Sequence, residues 1–472
     1  MAYTFQGLAP ALFFISESNI SNNFNLLKVL KTADYKAWHE SQNPETKRWL
    51  SQIGFIPEPG KSVIIPVISS MENKILALVI ESESCLETLA ACQEALPSGD
   101  YKIEGLSGFD LIQAAIGWGL HGYKFSRYKK QNPSNFNKPN KRLILSESDL
   151  KIVLDYCQAH YLIRDLINTP ADDMGPSELS SAAEKTAQKF SAQFECIQGE
   201  DLKINFPAIY TVGRASDDEP CLIKITWGNP AHPKLILVGK GVCFDTGGLD
   251  LKDADGMRWM KKDMGGAAHV LGLAELIMQA NLNIYLEVYI PAVENSVAGN
   301  AYRPGDVIIS RQGLSIEIGN TDAEGRVILA DALCLASEQN PNLIIDFATL
   351  TGAARVALGA DLPALFSNDL EFSNSIIEMG LKHEDPLWPM PLYQPYKAHI
   401  KSNIADLNNM SKVSYGGAIT AALFLENFVG ANISWCHIDL MAFNTSSRPA
   451  RPEGGEAMAL RAVFHAIQKR YE

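Results

Sequence analysis

From Ala171 onward the chain alternates short runs that are apolar on both faces with longer stretches that are apolar on one face only. A strand apolar on both faces needs cover on both sides, and intervening helices supply it; the arrangement that satisfies both is a parallel sheet between helical layers. The pattern predicts strands over 234–239, 284–290 and 343–347 and helices over 266–280 and 325–338. The expected fold is therefore α/β, with a central mixed, largely parallel sheet. In open sheets of this kind ligands collect beyond the carboxyl ends of the strands, so the residues directly after each strand bear most on function.

The first 125 residues repeat the mixture on a smaller scale, with strands expected over 62–69 and 74–81 and helices over 85–96 and 109–123. No catalytic pattern occurs there, so a packing or oligomer-contact role is expected. Residues 123–146 carry Lys124, Arg127, Lys129, Lys130, Lys138, Lys141 and Arg142 without one acidic side chain, which reads as an exposed linker. Tyr128 and Phe136 interleave these charges, too few aromatic platforms for a nucleic-acid surface. Ser146 and Asp149 then have the spacing of a helix start, and Leu150, Val153, Leu154, Cys157, Tyr161 and Leu162 recur at helical intervals. The predicted organisation is a small N-terminal α/β domain (1–145), a bridging helix (146–168) and a larger C-terminal domain (169–472) that holds the chemistry.

The 472 residues, 46% hydrophobic and 20% charged, are ordinary globular composition, and a net charge of −13 disfavours nucleic acid or an anionic membrane as a partner of the whole surface. No run approaches the ~18 consecutive apolar residues of a spanning helix, and residues 1–10 lack a secretory pattern, so a cytoplasmic protein is expected. The eight cysteines form no C-x-x-C pair and are expected to be reduced and mostly buried.

The strand at 234–239 runs into Lys240-Gly-Val-Cys-Phe-Asp245-Thr-Gly-Gly248, which delivers a lysine and an aspartate to the ligand edge of the sheet, with glycines that permit turns and close approach. Asp263 stands just before the helix expected at 266, where an N-cap is the simpler reading. In Asn320-Thr-Asp322-Ala-Glu324-Gly-Arg326, Asp322 and Glu324 lie two apart and share a face if the segment is extended. Carboxylates gathered near Asp245 and Asp263 repel strongly unless cations neutralise them. The nine histidines include no H-E-x-x-H and no close pair, and His269 reads as structural. What remains is an oxygen-rich site suited to manganese, magnesium or zinc.

Together these segments resemble the leucine aminopeptidase, or cytosol aminopeptidase, family. Residues 320–326 resemble its signature in full, and the likeness continues through 239–248, 260–264, 290–295, 301–306 and 348–352. The resemblance implies a metal-dependent aminopeptidase that takes peptides with a free N-terminus. It implies two divalent ions bridged by Asp245 and Glu324, with Lys240 and Asp263 completing one site and Asp322 the other. It further implies that Lys252 stabilises the oxyanion, that Arg326 holds a bicarbonate acting as base, and that the chain forms a hexamer of two trimers. Met260, Thr349, Gly352 and Met441 would shape the pocket for the first side chain. The family pattern has Ile-Ala-Gly where this chain has Leu440-Met441-Ala442, which points to a reshaped pocket for apolar or small side chains. A two-metal phosphoesterase and a non-catalytic binding protein are the alternatives.

Overall fold

The computed structural model describes residues 9–20, 24–66, 75–130 and 140–472. Phe136 and Lys138 of the basic tract, most of the N-terminal decapeptide, and the predicted strand ends at 67–69 and 74 lie outside the described residues. The chain divides into two compact units, one of Gln6–Tyr161 with Ser446–Glu453 and one built mainly of Leu162–Thr445 with Gly454–Glu472.

In the smaller unit, strands β1 (Phe14–Ser16), β2 (Asn25–Leu30), β3 (Ser62–Pro66), β4 (Ile75–Ile80), β5 (Gly99–Glu104) and β6 (Lys141–Leu145) form one sheet in the order β1-β6-β5-β2-β4-β3. All its pairings are parallel except β3 with β4. The last of these strands corrects the linker expected over 123–146. Leu143, Ile144 and Leu145 are buried, and Arg142 ties to Asp100 of the adjoining strand at 2.7 Å. Three apolar residues inside a basic tract are too few to announce a strand, but between β1 and β5 they are enough to be one. Helix Glu147–Asn168 follows, and Ser146 opens it as expected: its hydroxyl accepts the Asp149 N–H at 3.2 Å and donates to the Asp149 carboxylate at 2.8 Å.

The larger unit carries β7 (Gln193–Gln198), β8 (Cys221–Trp227), β9 (Lys234–Gly239), β10 (Gly241–Asp245), β11 (Tyr285–Asn295), β12 (Val307–Ile309), β13 (Ser315–Glu317), β14 (Leu343–Ala348), β15 (Ala364–Ser367), β16 (Trp388–Pro389), β17 (Leu407–Asn408) and β18 (Trp435–Asp439). Its main sheet has the order β16-β15-β18-β14-β9-β11-β8-β7, and β12, β13 and β17 make a small separate one. The four inner strands β18, β14, β9 and β11 are parallel, while β15, β8 and β7 run antiparallel to their inner neighbours. This is the mixed, largely parallel sheet that the alternation predicts. One face is covered by helix Glu324–Glu338, whose Val327, Ile328 and Leu333 share a core with Ile236, Val238, Ile344 and Trp435 of the strands. The long β11 pairs with β9 over its first half and with β10 over its second, so Lys240 and Asp245 reach successive positions along one edge.

Candidate metal centre

Lys240 is the link between β9 and β10. Its N–H donates to the Phe347 carbonyl of β14 at 3.0 Å, and its carbonyl accepts the Ala267 N–H of helix Gly265–Gln279 at 2.8 Å. The helix approaches this closely only because residue 266 is glycine: a Cβ there would stand 2.1 Å from the Phe347 carbonyl oxygen. Asp263 lies in the short 3-10 turn Met260–Met264 that enters the helix, and the N-cap position belongs to Met264, which makes no side-chain cap bond. The cap reading of Asp263 therefore falls. Its carboxylate meets Lys240 Nζ at 2.7 Å and accepts the Thr349 hydroxyl at 2.7 Å. Residues 320–323 form a turn rather than an extended segment, and Glu324 is the first residue of helix Glu324–Glu338. Asp322 and Glu324 still converge, but through a turn entering a helix.

Lys240 Nζ also meets Glu324 Oε1 at 2.8 Å, and Gly325 makes room for it, since a Cβ there would lie 2.7 Å from that nitrogen. Lys252 Nζ pairs with Asp245 Oδ2 at 2.8 Å and with Asp322. Asp245, Asp322 and Glu324 bring carboxylate oxygens within 4.8 Å of one another, the spacing of a cation site. Asp263 Oδ2 and Asp322 Oδ1 face a lysine ammonium but no well-directed donor, and the buried Glu324 Oε2 finds no hydrogen-bond donor among the described residues. Four carboxylates against two lysines leave two formal negative charges when all are ionised. The electrostatics express that surplus. Burial, then the Asp245 charge, push Glu324 up to about 8 and Asp322 up to about 6. Burial would lower Lys240 and raise Asp263, but their mutual attraction wins in both: Lys240 is held above its ordinary value and Asp263 below. Oxygen ligands with an unmet acceptor and surplus negative charge fit hard divalent cations.

Arg326 projects from the first turn of the same helix. One guanidinium nitrogen donates to the Asn409 carbonyl at 2.8 Å, while its buried Nε has no partner among the described residues. Burial draws it down to about 10, opposed by Glu324 and Asp439, so it remains a cation with a donor edge to spare. Of the predicted pocket residues, Met260 shares the turn of Asp263 and Thr349 bonds to that carboxylate. Gly352 begins helix Gly352–Leu358, and Met441 lies partly buried in the bend after β18. His269 is structural, as expected: Nδ1 bonds to the Gly265 carbonyl at 2.6 Å and Nε2 accepts the Met458 N–H at 2.9 Å.

Two asparagines belong to this arrangement that the sequence did not single out. Asn295 Nδ2 donates to Asp245 Oδ1 at 2.8 Å and to the Thr321 carbonyl at 3.1 Å. Its signals were its place at the end of an apolar strand and of the 290–295 segment that shares in the resemblance. Asn409 is fully buried: its Oδ1 accepts the N–H groups of Gly319 and Asn320 at 2.8 and 3.2 Å, and its Nδ2 donates to the Asn320 carbonyl at 2.8 Å. It thus clamps the turn that carries Asp322 while its own carbonyl holds Arg326. Nothing in the surrounding sequence marks it.

Residues 161–464 match the model of the cytosol aminopeptidase family catalytic domain, and residues 26–140 match that of the M17 aminopeptidase N-terminal domain. The chain belongs to the cytosol aminopeptidase family. It is 45% identical to a cytosol aminopeptidase from Coxiella burnetii of known crystal structure, with a TM-score of 0.92 over 97% of this chain and 99% of that one. A probable cytosol aminopeptidase of a Sulfurihydrogenibium species is 33% identical over 88% of this chain and 87% of its own length. Peptidase B of Pectobacterium atrosepticum is 43% identical over 63% of this chain and 71% of its own. The bottromycin maturation enzyme BotP in complex with Mn superposes with a TM-score of 0.83 at 27% identity over 95% of this chain and 99% of that one. The family is one of metal-dependent metallo-exopeptidases acting on peptides, which decides between peptide and phosphate ester where charge geometry alone could not.

Proposed function

We propose that the chain removes the N-terminal residue from peptides at the centre formed by Lys240, Asp245, Asp263, Asp322 and Glu324. The observation that carries the reading is the convergence of four carboxylates on two lysines, with Glu324 Oε2 left without a donor among the described residues. Asp245 and Glu324 would be shared by two divalent cations, with Lys240 and Asp263 on one side and Asp322 on the other; the manganese named for BotP makes that ion one candidate beside zinc and magnesium. Such ions supply Lewis acidity and a nucleophile at neutral pH. Lys240 can ligate only as the neutral amine, and the carboxylates around it hold its proton on, so its ligation depends on divalent charge displacing that proton.

Lys252 is the less buried of the two lysines and is the donor for negative charge developing on the scissile carbonyl oxygen. Arg326, with its spare Nε, suits bidentate capture of bicarbonate. Met260, Thr349, Gly352 and Met441 would bound an apolar pocket for the first side chain. We assign residues 1–145, 146–168 and 169–472 to an N-terminal domain, a bridging helix and a catalytic domain. A homohexamer and a cytoplasmic location rest on family membership; no helix among the described residues is long and apolar enough to cross a membrane.

The test is hydrolysis of leucine amide by metal-stripped protein with zinc, manganese or magnesium restored, beside Asp245→Asn. Turnover should return with metal and fail in the variant. Turnover indifferent to both would refute the assignment. Across a panel of aminoacyl amides, best rates on Asp or Lys derivatives would sink the apolar pocket.

A further inference from the structure

The chain leaves β14 at Ala348 and turns through Thr349, Leu350 and Thr351 into helix Gly352–Leu358. Two contacts of this loop face the proposed ligands. The Thr349 hydroxyl donates to Asp263 Oδ1 at 2.7 Å, and the Thr349 carbonyl accepts from Lys240 Nζ at 3.4 Å. A lysine that ligates as the neutral amine gives its lone pair to the cation and keeps two N–H bonds that need acceptors. The Thr349 carbonyl is an acceptor outside the ligand set, so an N–H directed at it sets where the lone pair points.

A loop can aim two ligands only if its own backbone is fixed, and the group that fixes it comes from the neighbouring strand. β18 runs parallel to β14 with Ala348 opposite Asp439, which places Asp439 level with the start of the loop. Its buried carboxylate accepts the Leu350 and Thr351 N–H groups at 2.9 and 3.2 Å through Oδ1, and the Thr351 hydroxyl at 2.6 Å through Oδ2. These three donors all belong to the one loop. The Thr351 hydroxyl oxygen accepts the Ala354 N–H in turn at 3.0 Å, which caps the helix. The Leu440 N–H completes the seam by donating to the Ala348 carbonyl at 3.0 Å. Hydrogen bonds to a charged acceptor are roughly twice as strong as neutral ones, and a carboxylate buried without its donors is costly, so carboxylate and loop hold each other.

We propose that Asp439 is a positioning residue of the metal centre: it fixes the 349–351 loop so that Thr349 orients Lys240 with its carbonyl and Asp263 with its hydroxyl. The inference rests on the two-cation reading above and adds to it a residue outside the ligand set. Groups that orient ligands are typically worth about 10- to 100-fold in metal affinity. Because Thr349 meets Lys240 and Asp263, the effect falls on the cation those two would hold and spares the one on the Asp322 side.

The test titrates metal-stripped, full-length protein with manganese alone, reads two binding steps by calorimetry, and follows melting temperature and leucine amide hydrolysis beside them. Asp439→Asn can still accept both N–H groups through its amide oxygen, so its chain should fold. One step should weaken by about 10- to 100-fold with the other unmoved, and kcat should fall at low manganese and return at saturation with KM near the parent value. Thr351→Val, which removes one of the three donors and leaves the carboxylate, should weaken the same step by less; it decides the matter if Asp439→Asn does not fold. A parent-like titration with only a lower melting temperature, in either variant, would reduce Asp439 to a structural cap and overturn the proposal. Equal weakening of both steps would overturn it as well. Asp245→Asn separates this failure from that of the centre itself. If it loses manganese that the parent binds, the centre stands whatever Asp439→Asn does; if it binds like the parent, the centre falls and this inference with it.

Discussion

Both principal sheets of this molecule are largely parallel, and both bring a lysine to a carboxylate, but they do so in opposite surroundings. In the smaller unit Lys28 and Glu104 meet across β2 and β5 at 3.5 Å with side chains 28% and 46% exposed. In the larger one Lys240 and Asp263 meet at 2.7 Å with both side chains 3% exposed. The first pair exchanges hydration for a weak attraction and contributes little. The second has been stripped of water, at a cost that attraction between two charges seldom recovers. It also sits among further like charges. A chain selected for stability alone would replace such a cluster with apolar residues. Buried charge in surplus therefore marks the place where folding yields to chemistry, and the exposed pair shows what an ion pair looks like when it has no such role.

That contrast can be broken at its strong end first. Asp245→Asn removes a carboxylate proposed to serve both cations, so turnover of leucine amide should become unmeasurable and the divalent metal found by elemental analysis should fall. Full activity with full metal content would leave the cluster without a function. Lys252→Ala should lower kcat by roughly 10²- to 10³-fold with little change in KM, the signature of a lost oxyanion donor. An effect confined to KM would assign Lys252 to substrate binding instead. Asn409→Ala leaves every proposed ligand in place but frees the turn at 319–322 and the Arg326 guanidinium. Metal affinity or activity should fall by about 10- to 100-fold, as for other groups that orient ligands. Parity with the parent chain in a metal titration would show that backbone packing alone holds that turn.

A smaller effect concerns acid stability. Burial lowers His269, His383 and His465 to about 4, about 3 and about 4 from an ordinary 6.5, and the last two rings stack 3.6 Å apart. Their folded values lie below the unfolded one, so the unfolded chain binds more protons in the interval. The stability these groups contribute is whole above pH 6.5 and is lost progressively as the pH falls toward 4 and 3. Urea midpoints taken from pH 7 to pH 4 should decline, less steeply in His465→Gln. A decline of equal slope in that variant would transfer the effect to the carboxylates. Smaller again, Ala442 holds a left-handed backbone at φ 56° directly after Met441. Ala442→Gly should raise stability by about 1 kcal/mol. Lys28→Ala at the exposed pair should stay within about 0.5 kcal/mol of the parent. A larger loss at Lys28 would undo the comparison from its weak end.

The alternation of two-faced apolar runs with amphipathic stretches was enough to read the parallel core, because burial on both faces leaves a strand no other setting. Lys240 and Asp245 were legible for the same reason, since they follow directly on such a strand. The heptapeptide at 320–326 carried the family in a single window, and with it the chemistry. Other features needed the folded chain. Asp263 read as a cap until the helix start fell on Met264 and its carboxylate turned to Lys240. The strand at Lys141–Leu145 looked like linker because its cover lies in β1 and β5, far from it in sequence. Asn409, 83 residues from the Arg326 it holds, has no local signature at all, and the heptapeptide that contains Gly325 does not tell that its missing side chain is the space Lys240 fills. Local pattern records which residues must be buried or must turn, because those demands act over a few residues. Which charges meet, and which small residues make room for them, depends on the path of the chain between distant segments, and only the packed structure fixes that path.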